Sequence, residues 1–213
     1  MERYKYPRTY HLPFSPGRSD DDKVLHDLSY FEGKEIVVTT KMDGENTTIY
    51  PDGYCHARSI DSNNHPSRSW VKQLASYIGP QMREATSKVN WRITGENLFA
   101  KHSIYYDNLV SYFYVFGMWE NDICLEWDFT EEITERLGLV TVPVIYRGKF
   151  DELYLRSLAK TLRDNQEGFV VRLAENIHPF EWEKGVAKWV RPNHVQTDQH
   201  WMNSEIIKNG LEN

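Results

Sequence analysis

Glu-Ile-Val-Val-Thr-Thr-Lys-Met-Asp-Gly-Glu-Asn, residues 35–46, is the stretch that decides the predicted fold and chemistry of this chain. Its β-branched run at residues 36–40 is typical of a buried strand. The Asp-Gly pair that follows is turn chemistry, and residues 47–50 predict a second strand. The stretch therefore predicts a hairpin, with Lys41 at the end of its first strand, just before a tight turn.

Lys41 is a candidate nucleophile because of this position. A lysine amine attacks only in its neutral form, and burial beside other cations lowers a lysine pKa from about 10.4. Taken alone, however, a Lys-x-Asp-Gly sequence is more often a surface hairpin with a solvated lysine. The residues farther along the chain decide between the two interpretations.

The bulk composition bounds the class of protein. The chain has 213 residues, 40% of them hydrophobic, and a net charge of −6, which indicates one globular domain over residues 1–213. A protein that only coats nucleic acid is usually basic, so positive charge for a nucleic-acid site must be gathered locally. Cys55 and Cys124 lack metal-binding spacing and indicate reduced thiols in a cytoplasmic protein. We expect no membrane segment, since no apolar run approaches that length.

Short strands alternate with a few helices along the rest of the chain. Period-2 and β-branched runs predict strands in residues 54–59, 91–99, 112–119, 123–125, 140–144, 166–172 and 186–192. Apolar spacing and capping residues predict helices over 19–28, over 69–84, around Ile133 and Leu137, and after Asp151, the last with Leu153, Leu155, Leu158 and Leu162 on its apolar side. This pattern favours an α+β fold with antiparallel sheets flanked by helices.

The two ends of the chain are less informative. His11 and Arg18 lie in an irregular N-terminal loop, where they either contact a phosphate or nucleobase or are solvated; the sequence leaves both open. In the polar tail, residues 193–213, we predict that Trp201 anchors the segment on the surface.

Five predicted strand ends each carry a charged residue suited to bind a phosphate, a ribose or a metal ion. They are Lys41, Arg58, Glu96, Glu167 and Lys188. Each has a plain alternative as a solvated, ion-paired or turn residue, and individually that alternative is favoured. Their occurrence together, in this order, favours a common site.

The order resembles the six motifs of the covalent nucleotidyltransferase superfamily, which includes polynucleotide ligases and mRNA capping enzymes. The matching segments are Lys41-Met42-Asp43-Gly44, Arg58-Ser59, Gly95-Glu96, Tyr114-Val115-Phe116-Gly117, Glu167-Gly168-Phe169-Val170-Val171-Arg172 and Lys188-Trp189. Together they span residues 36–191. Within the superfamily, residues 95–104 look most like the RNA ligases related to the second RNA ligase of phage T4.

This resemblance implies an adenylyltransferase domain and an activity. The domain would use ATP, carried as covalent AMP, with Mg²⁺ or Mn²⁺. It would seal RNA 5′-phosphate and 3′-hydroxyl ends through a lysyl-AMP intermediate, with an RNA end-healing enzyme as a partner. Few residues follow the last motif, so we expect no C-terminal OB-fold of the kind found in DNA ligases and capping enzymes.

The resemblance also implies roles for single residues. Lys41 is the expected nucleophile, and Lys188 and Arg58 are the other expected catalytic residues, which contact phosphates. Glu96 is expected to hold the ribose, and Phe116 to stack on adenine.

The remaining implied roles concern the metal ion and the last motif. Glu167 is the first candidate metal ligand and Asp43 the second, and both are expected to lie at the bound nucleotide. The family's last motif is usually Lys-x-Lys, whereas Val190 stands two residues after Lys188 here. Arg191 is then the expected second cation at the nucleotide.

Alternatives to this assignment stay open at the level of sequence. Within the superfamily, the alternative is a capping-type guanylyltransferase or a DNA ligase. Outside the superfamily, the alternative is a non-catalytic nucleic-acid-binding module.

For an acidic chain to hold RNA, we also predict a cationic track. Its predicted residues are Lys101, His102, Arg172 and Arg191.

Overall fold

Two sheets hold most of the chain in the computed structural model, which describes residues 2–62, 64–86, 90–192 and 205–212. The first sheet has five strands. In spatial order they are β1 (Tyr10–His11), β11 (Val186–Val190), β10 (Gly168–Leu173), β2 (Glu35–Lys41) and β9 (Val144–Lys149). Neighbouring strands are antiparallel except β1, which is parallel to β11.

The second sheet has six strands. In spatial order, five of them are β4 (Cys55–Ala57), β3 (Glu45–Ile49), β5 (Trp91–Asn97), β6 (Phe113–Glu120) and β7 (Ile123–Cys124). The sixth, β8 (Val140–Thr141), pairs in parallel with β6, whereas the other pairs are antiparallel.

Helices cover the outer sides of these sheets. Those among the described residues are α1 (Ser69–Thr86), α2 (Trp127–Arg136), α3 (Glu152–Thr161) and α4 (Trp182–Gly185), with 3-10 turns at residues 29–31, 66–68 and 179–181. Apolar residues of α1 and α2 pack with the second sheet in one core cluster, and Leu155 of α3 packs with the first sheet in another. The predicted α+β fold with antiparallel sheets and flanking helices is confirmed. No OB-fold barrel is present among the described residues.

The predicted hairpin at Lys41 is wrong, because β2 and β3 belong to different sheets. The three residues 42–44 carry the chain from one sheet to the other. Met42 is buried in a core cluster between the sheets, and the Asp43 carboxylate accepts two backbone N–H groups from the loop after β5. Lys41 thus ends a strand, as expected, but it lies where the two sheets meet.

Three other local predictions differ from the structure. Residues 19–28 form no helix: the Ser19 hydroxyl bonds the carboxylates of Asp21 and Asp22, and Val24 bridges to β1. The predicted strand 140–144 is split between the two sheets, as β8 and the start of β9. Asp151 caps α3 as predicted, but Leu153, which was predicted to lie on the apolar side of that helix, is 79% exposed.

The C-terminal residues 205–212 pack against the loop that follows β5. Lys101 donates its N–H to the carbonyl of Ile207, and buried Asn209 donates to the carbonyl of Leu98. The predicted anchor Trp201 lies outside the described residues. Over the described ranges, every helix is too short or too polar to cross a membrane.

Candidate active site

Strand register in the first sheet brings three of the predicted residues together. Lys41 on β2 is paired with Gly168 on β10, directly after Glu167. Val170, two residues on, is paired with Lys188 on β11. Because side chains on a strand alternate between faces, the two lysines lie on the same face of the sheet. Both line a cavity of about 400 Å³ between the two sheets.

Lys41 forms an ion pair with Glu167, which lies beside this cavity but is not among the residues that line it. Its Nζ lies 2.7 Å from the carboxylate, and the Glu167 side chain is only 8% exposed. Burial lowers the pKa of Lys41, but the nearby carboxylates of Glu167, Glu96 and Asp43 raise it more, so the net change is upward. The expectation of a lowered Lys41 pKa is therefore wrong for these surroundings, because acids rather than cations lie closest to the amine.

Lys188 has the opposite electrostatic balance. Burial lowers its pKa, and the charges of Lys41 and Arg58 lower it further, against the attraction of Asp22 and Glu167. Its Nζ lies 3.8 Å from an Asp22 carboxylate oxygen. Buried His11 contacts the same carboxylate at 3.4 Å. Asp22 lines the cavity, whereas His11, which contacts Asp22 from behind, is not among the residues that line it.

Glu96 enters the cavity from the second sheet. It is paired with Asn46 across β3, and its carboxylate accepts the N–H of Gly44 at 3.1 Å. Burial raises its pKa to about 8, although the positive charge of Lys41 opposes the change. Burial thus favours the protonated form of Glu96, which can donate as well as accept hydrogen bonds.

Phe116 lies at an irregularity in the second sheet. Gly95 pairs with Val115 and Thr94 with Gly117, so Phe116 is an extra residue on β6. A bulge of this kind re-aims a side chain, and here Phe116 lines the cavity. Tyr6 packs edge-on against Phe116, with ring centroids 5.5 Å apart.

The aromatic wall beside Phe116 was not predicted from the sequence. Tyr6 also packs edge-on against Trp119 and Trp182, and all three line the cavity. Arg8 is a further unpredicted cation on the lining, and its guanidinium donates to the carbonyl of Asp21. Tyr6 and Arg8 come from an irregular N-terminal segment, Trp182 from α4 and Trp119 from β6, and no local pattern in the sequence indicates that they share a site.

Asp43 is turned away from the cavity. One carboxylate oxygen accepts the N–H of Ser103 at 2.7 Å and of Ile104 at 2.6 Å, while its own N–H donates to the Tyr106 hydroxyl. Met42 and Gly44 line the cavity, whereas Asp43 does not. Contrary to the prediction of a metal ligand, this carboxylate fixes the turn after Lys41.

The predicted arginines fall into three different settings. Arg58 is exposed and lines the cavity, as expected. Arg172 also reaches the lining, but it is 4% exposed and its guanidinium donates to the carbonyls of Leu125 and Leu173. It is thus a buried structural cation rather than part of a surface track for RNA.

Arg191 lies outside the cavity, contrary to the prediction that it contacts the nucleotide. It follows the end of β11, and its side chain is buried, with Nε and one Nη lacking a hydrogen-bond partner in the described parts of the chain. Lys188 and Arg191 are three residues apart, so strand alternation does not place them on one face. Arg18, which donates to the carbonyl of Pro13, does not line the cavity either.

The residues present fit a magnesium ion only if the substrate completes its shell. No group of three or more acidic, histidine or cysteine side chains among the described residues forms a metal site. Mg²⁺ is commonly held by one or two carboxylates together with substrate phosphates and water. Glu167 supplies such a carboxylate next to Lys41, so a nucleotide-bound ion is compatible with this chemistry.

Comparison with known proteins identifies the family. The sequence matches the RNA ligase family over residues 34–190, and the chain belongs to that family. No curated protein matches it significantly. The narrower likeness to the ligases related to the second RNA ligase of phage T4 stays a prediction.

Solved structures share the fold at low sequence identity. An archaeal ATP-dependent RNA ligase superposes with a TM-score of 0.59 at 17% identity, covering 88% of this chain and 48% of that one. A variant of the Naegleria gruberi RNA ligase with AMP and Mn superposes with a TM-score of 0.55 at 16% sequence identity, covering 77% of this chain and 52% of that one. A putative ATP-dependent DNA ligase from Aquifex aeolicus superposes with a TM-score of 0.56 at 18% sequence identity, covering 89% of this chain and 50% of that one. The chain thus spans about half the length of these structures.

Proposed function

We propose that this chain is a single nucleotidyltransferase domain of an ATP-dependent RNA ligase, which seals 5′-phosphate and 3′-hydroxyl RNA ends through a lysyl-AMP intermediate. The observation that carries the proposal is the convergence of Lys41, Glu96, Phe116 and Lys188, from both sheets, on one cavity. Membership of the RNA ligase family supports the same chemistry.

The first step would join Lys41 to the nucleotide. The Nζ lone pair forms a bond to the α-phosphorus of ATP, and the bond from that phosphorus to the pyrophosphate oxygen breaks. Nζ must first lose its proton to solvent, and the Glu167 carboxylate 2.7 Å away holds that proton on the amine until the ion pair separates. Lys188 and Arg58 line the same cavity and would neutralise charge on the phosphate oxygens.

The nucleoside would be held by the other side of the cavity. Phe116 offers a ring face for adenine, and stacking of this kind contributes about 1–3 kcal/mol. Glu96, which lines the cavity, would form hydrogen bonds with the ribose hydroxyls. Mg²⁺ held by Glu167 would supply charge neutralisation for the phosphates when bound.

The cellular setting is part of the proposal. We propose RNA with 5′-phosphate and 3′-hydroxyl ends as the substrate, and an end-healing enzyme as a partner that produces such ends. Both cysteines are free thiols, Cys124 being buried and Cys55 partly so, which supports action in a reducing, cytoplasmic compartment.

Intact mass after incubation with Mg²⁺ and each of ATP, GTP and NAD⁺ tests the proposal. We expect a gain of one AMP with ATP in the wild type, no gain in Lys41→Ala, and a normal gain in the exposed-lysine control Lys160→Ala. A gain of GMP would indicate capping chemistry. A gain of AMP with NAD⁺ would indicate an NAD⁺-dependent ligase instead of an ATP-dependent one. If no condition gives an adduct, and the purified protein carries no AMP already, the ligase proposal is wrong.

RNA and DNA sealing are then compared on matched substrates. Because a putative DNA ligase superposes about as well as the RNA ligases, nicked DNA is the informative competitor. We expect the adenylylated protein to seal the RNA substrate in preference to the DNA one. The reverse preference would overturn the RNA assignment while leaving the lysyl-AMP step intact.

A further inference from the structure

A second cavity, of about 270 Å³, opens beside Lys41. Its walls come from Thr40 and Lys41, from the loop at residues 105–109, and from Asn165 and Gln166 just before β10. Lys41 lines both this cavity and the larger one described above. Lys41 is thus a residue shared by two cavities.

The two cavities differ in charge. The larger one brings the cations Arg8, Arg58 and Lys188 to the side of Lys41. Among the described residues that line the smaller cavity, Lys41 is the only cation, and Asp107 adds a carboxylate. The larger lining also carries Asp21, Asp22 and Glu96, but its cations outnumber these acids, so it suits a polyphosphate better than the smaller lining, which has one charge of each sign. The smaller cavity therefore suits the neutral part of a nucleotide.

The groups that line the smaller cavity are those that recognise a nucleoside. Tyr105 is 52% exposed, which leaves much of a large aromatic side chain open to a ligand. Asn108 and Asn165 are exposed amides on the same lining, and each can both donate and accept. Unpaired RNA bases are bound in this way, by stacking on aromatic rings and by hydrogen bonds to their edges.

The loop that carries Tyr105 is held in place from two directions. On one side, the Asp43 carboxylate accepts the N–H groups of Ser103 and Ile104. On the other, Asn209 accepts the N–H of Tyr106 at 3.0 Å. A binding ring fixed in advance loses little entropy when a ligand binds.

We propose that this second cavity binds the terminal nucleoside of the RNA strand that carries the 3′-hydroxyl, with the base stacked on Tyr105. The proposal rests on the ligase function proposed above. In the sealing step, the 3′-oxygen loses its proton to solvent and bonds to the phosphorus of the adenylylated 5′ end, as the phosphorus–oxygen bond to AMP breaks. With AMP in the larger cavity, a hydroxyl held in the smaller one would approach past Lys41.

The test uses Tyr105→Ala, Tyr105→Phe and a control, Tyr77→Ala, which removes a 69% exposed ring from α1. The AMP adduct, formed without RNA, shows that each protein is folded and active in the first step. Sealing of a pre-adenylylated 5′ strand is then followed as the 3′-hydroxyl strand is titrated. We expect Tyr105→Ala to need roughly 5- to 150-fold more of that strand, and Tyr105→Phe and Tyr77→Ala to match the wild type.

Two results would overturn the subsite. One is an unchanged strand requirement in Tyr105→Ala; the other is a Tyr105→Phe variant as defective as Tyr105→Ala, since the ring would then not be the cause. Anisotropy of a labelled short RNA with a free 3′-hydroxyl adds a readout that needs no catalysis. If the wild type forms no AMP adduct but binds this RNA more tightly than Tyr105→Ala does, the ligase function fails and the nucleoside site stands.

Discussion

The Nζ of Lys41 lies 2.7 Å from the carboxylate of Glu167, although 126 residues separate the two in the chain. Antiparallel pairing of β2 with β10 creates this contact, since Lys41 is opposite Gly168. The pair couples the proton affinity of the candidate nucleophile to the charge on Glu167. Any group that draws this carboxylate away from Lys41 would therefore make the amine easier to deprotonate.

Replacing Glu167 tests this coupling. In Glu167→Gln the closest negative charge is lost while burial remains, so we expect the pKa of Lys41 to fall. The rising limb of the adenylylation rate against pH should then move to lower pH, even if the maximum rate falls with the loss of a candidate metal ligand. Single-turnover adenylylation across the pH range checks this, with the exposed Glu183→Gln as control. A limb that stays in place would refute the coupling.

Much of this site is predictable because its residues follow local rules. Strand ends are marked by turn residues and by the loss of alternation, so Lys41, Glu96 and Lys188 could be placed from the sequence. That these residues share one site followed from the family resemblance, because no local sequence pattern shows that distant residues meet. The structure places all three on its lining.

Other features depend on contacts that no local pattern encodes. The turn after Lys41 reads as a hairpin, but the loop amides that bind Asp43 lie 60 residues away in the sequence. Arg191 was expected at the nucleotide, yet strand alternation separates it from Lys188. Tyr6 and Arg8 belong to a segment without periodicity, so only the tertiary structure reveals them on the cavity.

Glu96 gives a second prediction, on stability against pH. Its folded-state pKa of about 8 lies above the usual value of 4.5, so between these values the folded protein keeps a proton that the unfolded chain has lost. The unfolding free energy should therefore fall as pH rises through this window, by up to about 1.4 kcal/mol per unit from this group. Relative to Glu96→Gln, the wild type should lose stability between pH 5.5 and 7.5 in urea titrations. Parallel curves for the two proteins would contradict the raised pKa.

Asp43 gives a third prediction, on the loop after β5. In Asp43→Asn the buried hydrogen bonds to the N–H groups of Ser103 and Ile104 lose their charge, which should cost about 1–3 kcal/mol of stability. We expect faster hydrogen exchange at those two amides and slower adenylylation, because the turn after Lys41 loses its support. Asp107→Asn, on the same loop but exposed, is the control for exchange. Full protection of both amides in Asp43→Asn would show that the carboxylate is not what holds the loop.

The fourth prediction separates stability from chemistry. Glu45, directly after the turn, pairs with Arg68 in the 3-10 turn before α1; one contact, Nε to carboxylate, is 2.7 Å, and both residues are less than 10% exposed. Neither lines the larger cavity. Arg68→Met leaves the Glu45 carboxylate buried and unpaired, so we expect a loss of about 3–5 kcal/mol in urea unfolding.

Two matched variants decide whether that loss comes from the unpaired charge. Adding Glu45→Gln to Arg68→Met should recover part of the stability, because the second substitution removes the charge itself. Arg136→Met breaks an exposed helical pair with Glu132 and should cost only about 0.3–0.5 kcal/mol. At temperatures where each variant is folded, the AMP adduct should still form. A folded Arg68→Met protein that forms none would place this ion pair in the chemistry of the site rather than in the stability of the fold.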